Sequence, residues 1–208
     1  MRNAPVVKLT AKGRATRERI LRAASELMLE RGVARTTIED IQAAANVSTS
    51  QMYHYFGNKG DIVAAVIDLQ RDQVLGREQL AFFPLDSIAA VIRWRNAVVE
   101  VMRGRGCVGG CPIGSLANEL SDTDPLARAR LARAFEQWEE LIRDGLAAMR
   151  ARGELSAGLD VHRLATAILA GVQGGLLLSQ LRRDTEPLEA ALDTMIDHLR
   201  SIGVGEGA

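Results

Sequence analysis

Apolar residues recur along this chain at three- and four-residue intervals, the spacing of helices that bury one face. Ile20, Leu21, Ala24, Leu27 and Met28 mark the inner face of a first helix that Gly32 ends. Ile41 and Ala45 mark a short helix over 38–45, and 49–56 forms another, polar on one side and aromatic on the other. After Asn58, the positions Ile62, Val63, Val66, Ile67 and Leu69 predict a longer helix to about Gln79. Pro84 breaks the chain, a helix follows from about Leu85 to Met102, and residues 104–112 form a loop by composition. Further helices are predicted over Ile113–Leu120, from Pro125 to about Arg152, from Asp160 over about 22 residues, and from Pro187 to near Ile202. The run Val6-Val7-Lys8-Leu9 is too isolated to pair as a strand, and Gly203–Ala208 is predicted to fray. The fold class is all-α with about nine helices. A three-helix helix-turn-helix domain over 1–60 precedes a helical domain over 61–208.

Three helix starts share one chemistry. Thr37 with Asp40, Ser48 with Gln51, and Asn58 with Asp61 each place a capping side chain three residues before a polar one. Between the first two, Asn46 tolerates the left-handed conformation that a tight turn needs, Val47 fills the corner, and Ser48 starts the next helix. Two short helices joined by so few residues follow the helix-turn-helix plan.

Charge sharpens the division. The chain is formally neutral, yet residues 1–60 carry ten Lys and Arg against five acids, and the remainder carries 16 against 21. That asymmetry points to a polyanion-binding N-terminal part on a neutral-to-acidic body, or to a solvated basic face. Gly171, Gln173, Gly174 and Gly175 interrupt the longest apolar stretch, so no membrane span is read there, and residues 1–19 lack a secretory h-region. With two cysteines and no export signal, a structural disulfide is not expected.

Residues 37–63 resemble the TetR family of bacterial transcriptional regulators, through Thr37, Ile41, Ala45, Val47, Ser48, Tyr53, Phe56 and Lys59, with Arg19-Ile20-Leu21 opening helix 1. Gln42 stands where the family usually has a small residue, Asn46 where it has Gly, and Gly60 where it often has an acid. Cys107–Asp122 is similar to the LmrA/YxaF-like subgroup. The resemblance implies a repressor that binds double-stranded DNA as a homodimer and responds to a small-molecule effector. It further implies a cytoplasmic protein, nucleoid-associated when on DNA.

On that reading Thr49, Ser50, Gln51 and His54 face base edges, with Gln51 suited to a bidentate contact to adenine. Ser48 caps their helix. Thr37, Tyr53, His54, Tyr55 and Lys59 hold phosphates, and a basic arm with Lys12, Arg14 and Arg17 reaches the backbone or an adjacent minor groove. Phe56 is read as core against helix 1.

The effector site is expected among the helices of 61–180, with Trp94, Met102, Phe135 and Trp138 as large candidate walls, each also readable as core, and Gln173 as a polar orienting group. A two-fold interface is expected on the last two helices through Leu164, Ile168, Gly171, Gly174, Leu178, Leu188, Leu192, Met195 and Leu199, residues equally suited to the internal core. Cys107 and Cys111 lie in a Gly-rich loop beside Arg103 and Arg105. They are read either as a redox or electrophile sensor or as small loop residues. Two cysteines without a nearby His pair complete no zinc site. No phosphate-cradling Gly loop, His-Glu-x-x-His or Gly-x-Ser-x-Gly motif is present, so neither an enzyme nor a cofactor is expected.

Overall fold

The computed structural model describes residues 9–76 and 83–203, and contains nine helices among them. The predicted ends of the fourth helix near Gln79 and of the tail, and most of the Val6–Leu9 run, lie outside the described residues. The helices are α1 (Ala11–Arg31), α2 (Ile38–Ala45), α3 (Thr49–Tyr55), α4 (Lys59–Leu75), α5 (Ile88–Gly104), α6 (Pro112–Leu120), α7 (Pro125–Ala151), α8 (Val161–Arg182) and α9 (Glu186–Ser201). Among the described residues a single bridge, between Leu155 and Gly203, is the one β-type pairing.

The chain divides into two compact units, Met1–Leu69 and Gln70–Ala208, with the division inside α4 rather than at the 60/61 position expected from sequence. In the first unit Ile20, Ala24, Met28, Ile41, Ala45, Met52, Phe56, Ile62 and Val66 form a core in which none is more than 3 % exposed. α1 starts nine residues before the apolar pattern does. Thr10 caps it, its Oγ1 accepting from the Gly13 amide at 3.1 Å. Lys12, Arg14 and Arg17, the residues of the expected basic arm, therefore lie on a helix. That first stretch is polar over most of its surface, so it carried no periodicity to read.

The second unit is built on α8. α8 packs most extensively on α9 and then on α7, while α6 packs on α7 and α5 on α9. Ion pairs tie α5 to α9: Arg95 reaches Asp193 at 2.7 Å and Glu189 at 3.3 Å, and Arg103 reaches Glu189 at 3.0 Å. α5 begins at Ile88 rather than Leu85, because the Ser87 hydroxyl accepts from the Ala90 amide and stops the helix there. Leu85, 2 % exposed, instead runs across α7 at Gly145, where a Cβ would stand 2.5 Å from the Leu85 carbonyl oxygen. By length and composition α8 is apolar enough to cross a membrane, with mean hydropathy 1.5, and 39 % of that stretch is buried inside the helical body.

Candidate nucleic-acid interface and effector cavity

The turn between α2 and α3 is built as the sequence reading has it. Asn46 sits at φ 50°, ψ 58°, in the left-handed region, and the Val47 amide donates to the Gln42 carbonyl at 3.1 Å. Both capping boxes close. The Thr37 hydroxyl accepts from the Asp40 amide at 3.1 Å while Asp40 Oδ2 accepts from the Thr37 amide at 2.9 Å. Ser48 Oγ accepts from the Gln51 amide at 3.3 Å while Gln51 Oε1 accepts from the Ser48 amide at 2.9 Å. At the third start the reciprocity shifts by one residue: Asn58 Oδ1 accepts from the Asp61 amide, but the Asp61 carboxylate caps Gly57 rather than Asn58.

The hydrogen bonds that Thr37 gives Asp40, helped by Arg31 at 3.0 Å, hold the Asp40 carboxyl below the usual carboxylate range. This cluster anchors the start of α2 to the end of α1.

On α3 the buried and exposed sides separate cleanly. Met52 is fully buried, and Phe56 just beyond the helix is 3 % exposed, whereas Thr49, Ser50, Gln51, Tyr53 and His54 are exposed. Thr37 and Ser48 are exposed as well. Gln51 spends its carbonyl oxygen on the cap, so a bidentate contact to adenine requires that bond to open. Tyr55 is half-buried, edge-on to His54 at 4.9 Å between centroids, with its hydroxyl 3.6 Å from where a Cβ on Gly13 would stand. Lys59 is also half-buried, and its ammonium donates to the Val33 carbonyl at 2.7 Å.

Two contacts escaped the sequence reading. Arg17 lies over the Phe56 ring at 5.0 Å, and Arg19 Nε donates to the Ala45 carbonyl at 2.7 Å, satisfying an orphan acceptor at the end of α2. Both link residues far apart in sequence, so no local pattern announces them.

In the second unit a cavity of about 130 Å³ opens beside α5. Trp94, Met102, Cys111 and Trp138 line it, together with Gln73, Phe83 and Arg105. Phe135, Cys107 and Gln173 are not among its lining residues. Phe135 is half-buried on α7, and Cys107 is buried with its carbonyl accepting from Arg183 at 3.0 Å. Gln173 packs at Gly114 instead, with Oε1 2.9 Å from the Cβ position of that glycine and with a buried Nε2 that has no hydrogen-bond partner.

Cys111 does work that the sequence did not announce. It is the N-cap of α6, its sulfur accepting from the Gly114 amide at 3.4 Å, and burial pushes its thiol pKa up. The loop before it needs glycine at Gly110, where φ is +52° and a Cβ would meet the Gln180 side chain at 2.5 Å. Arg103, one of the two cations expected to activate the thiols, is paired with Glu100 and Glu189. Among the described residues no group of three His, Cys, Asp or Glu is arranged to hold a metal.

On the last two helices, Leu164, Ile168, Leu188, Leu192 and Leu199 are buried within the protomer. Gly171 and Met195 are half-buried, and Gly174 and Leu178 are exposed. The exposed apolar face of α8 consists of Leu177, Leu178 and Leu181, at 57, 43 and 71 % exposure.

Comparison with known proteins accounts for both units. Residues 20–66 match the model for bacterial regulatory proteins of the tetR family, and residues 84–195 match that of the tetracyclin repressor-like C-terminal domain. The chain belongs to the TetR family. Its TetR relatives include the HTH-type transcriptional repressor DhaR of Mycobacterium sp. (strain GP1), 29 % identical over 191 residues that cover 88 % of this chain and 91 % of DhaR. The regulator YxaF of Bacillus subtilis, whose subgroup the Cys107–Asp122 segment resembles, is 24 % identical over 86 % of this chain and 92 % of its own. A TetR regulator from Chloroflexus aurantiacus, solved by crystallography, has a TM-score of 0.78 and 31 % identity over 93 % of this chain and 98 % of that one. This TetR protein is accordingly a transcriptional regulator with a helix-turn-helix DNA-binding domain, and it is not an enzyme.

Proposed function

We infer that this TetR repressor works as a homodimer, reading a palindromic operator through the exposed side of α3 and leaving it when a small aromatic or apolar effector enters the cavity of the second unit. The observation that carries the DNA half is the division of α3. Met52 and Phe56 anchor the helix, and Thr49, Ser50, Gln51, Tyr53 and His54 stand exposed on a unit whose first 60 residues hold twice as many basic as acidic groups. One such helix reads few base pairs, and a two-fold pair on half-sites about one helical turn apart supplies the rest. Leu177, Leu178 and Leu181 support α8 as the face that pairs.

The effector half rests on the cavity. Both tryptophans of the chain line it, and so do Gln70, Gln73 and Val74 of α4, the helix that begins at Lys59 in the DNA-binding unit. An effector that prefers one placement of α4 shifts the repressor between DNA-competent and released states by no more than its differential affinity for the two.

A thiol sensor at Cys107 and Cys111 draws no support from the site. Both cysteines are buried, and burial pushes the Cys111 thiol pKa up, away from the thiolate that such chemistry needs.

Binding of the full chain to DNA upstream of its own coding region, followed by fluorescence anisotropy across a salt series, tests this reading. Tight binding that falls steeply with salt and is lost on Tyr53→Ala with Gln51→Ala is the expected result. Binding unaffected by both substitutions would overturn the assignment of α3.

A further inference from the structure

Arg105 is the single cation among the described residues that line the cavity, and no aspartate or glutamate lines it with them. Three other arginines of the second unit are already engaged. Arg95 is paired with Asp193 and Glu189, Arg103 with Glu100 and Glu189, and Arg183 donates to the Cys107 carbonyl. The Arg105 guanidinium has no ion pair or side-chain hydrogen bond among the described residues. Its backbone is held at the end of α5, where the Arg105 amide donates to the Val101 and Met102 carbonyls.

Apart from Gln70 and Gln73, the rest of the wall is largely apolar, and its largest side chains are aromatic. In a chain with only eight aromatic residues, Phe83, Trp94 and Trp138 meet at this one cavity. Its volume of about 130 Å³ is close to the roughly 150 Å³ that holds one benzene ring. An aromatic ring gains from stacked or edge-on contact with such a wall beyond its burial. A planar guanidinium at the edge matches a carboxylate in fork geometry, and among the described residues no carboxylate pairs with it.

From this we propose that the effector is a single-ring aromatic acid, its ring between Trp94 and Trp138 and its carboxylate on Arg105. The proposal rests on the cavity being the effector site. Because Arg105 is exposed, screening limits the selectivity to a modest factor rather than an absolute one.

The test is calorimetric titration of the full chain with three probes of one shape: trans-cinnamate, its uncharged amide, and styrene. The expected result is that cinnamate binds at least about fivefold more tightly than the amide. In Arg105→Gln the two should converge to within about twofold through loss of cinnamate affinity alone, and Arg105→Lys should keep a preference for the acid. Arg105 is an exposed loop residue, so both variants are expected to fold, and a thermal melt of each checks this. Equal binding of acid and amide, or a preference that survives Arg105→Gln, overturns the proposal while leaving the cavity as an effector site. Binding of styrene or the amide without cinnamate does the same. Binding of none of the three overturns both.

Discussion

Lys59 Nζ donates to the Val33 carbonyl oxygen at 2.7 Å, across 26 residues of sequence. The bond ties the first residue of α4 to the turn that follows α1, and it occupies a side chain whose residue type and position implied a phosphate contact.

The two roles separate by salt dependence. Loss of one phosphate contact reduces the slope of log affinity against log salt by about 1. A buttress should instead leave that slope in place while destabilising the unit by about 1.5–3 kcal/mol, the scale of a hydrogen bond to a charged group. For Lys59→Ala we expect the second pattern: a lower denaturation midpoint, weaker operator binding at every salt concentration, and an unchanged slope.

Asp40 makes the first unit acid-sensitive. Thr37 and then Arg31 lower its pKa on folding, so the stability it contributes is complete above the ordinary aspartate value of 3.8 and is lost as pH falls through the depressed folded value. Thermal melts of wild type and Asp40→Asn should differ most near neutrality and converge at low pH. A constant gap across the series would show that the carboxylate charge plays no part.

Gly145 admits no side chain. A Cβ there would lie 2.5 Å from the Leu85 carbonyl oxygen and 2.6 Å from its carbon, both backbone atoms. Gly145→Ala should therefore destabilise the protein by about 1–3 kcal/mol, although alanine is the better helix former. An unchanged or raised melting temperature would show that the 83–87 segment yields at little cost.

The α8 face is tested by charge. Leu178→Glu with Leu181→Glu alters two exposed side chains and should leave the helical circular dichroism of the protomer intact. On the reading of α8 as the pairing face, the double variant should sediment as a monomer at concentrations where wild type is dimeric, and its operator affinity should fall with it.

Cys111 should resist alkylation. Burial raises its thiol pKa and its sulfur accepts from the Gly114 amide, so iodoacetamide at pH 8 should label it at least about tenfold more slowly in the native protein than in denaturant. Rapid native labelling at Cys111 would reopen the thiol-sensor reading.

The helices and their ends were legible in sequence because the signals that set them are local. The apolar spacing of Ile41 and Ala45, the caps at Thr37 and Ser48, and the left-handed tolerance of Asn46 all act within a few residues. The same signals placed α2 and α3 correctly and put the polar side of α3 outward. Where the local signal was missing, the reading fell short: α1 extends back to Ala11 over a stretch with almost no apolar face.

Partnership between distant residues was not legible. Nothing near Lys59 announces Val33, nothing near Gly145 announces Leu85, and nothing in the Cys107–Cys111 spacing shows that Cys111 caps α6 from a buried site. Sequence also ranked Leu188, Leu192 and Leu199 with Leu178 as one apolar set, and only packing separated the three that fill the protomer from the one left exposed. By itself, then, the chain determined its helical class, its helix-turn-helix and its family, since those follow from periodicity, capping and a contiguous motif. The tertiary structure decided which cations are already paired, which thiols are buried, and that Arg105 stands unpaired among the described residues at a cavity walled by both tryptophans. Those outcomes depend on which side chains meet in space, and a one-dimensional pattern carries no record of that.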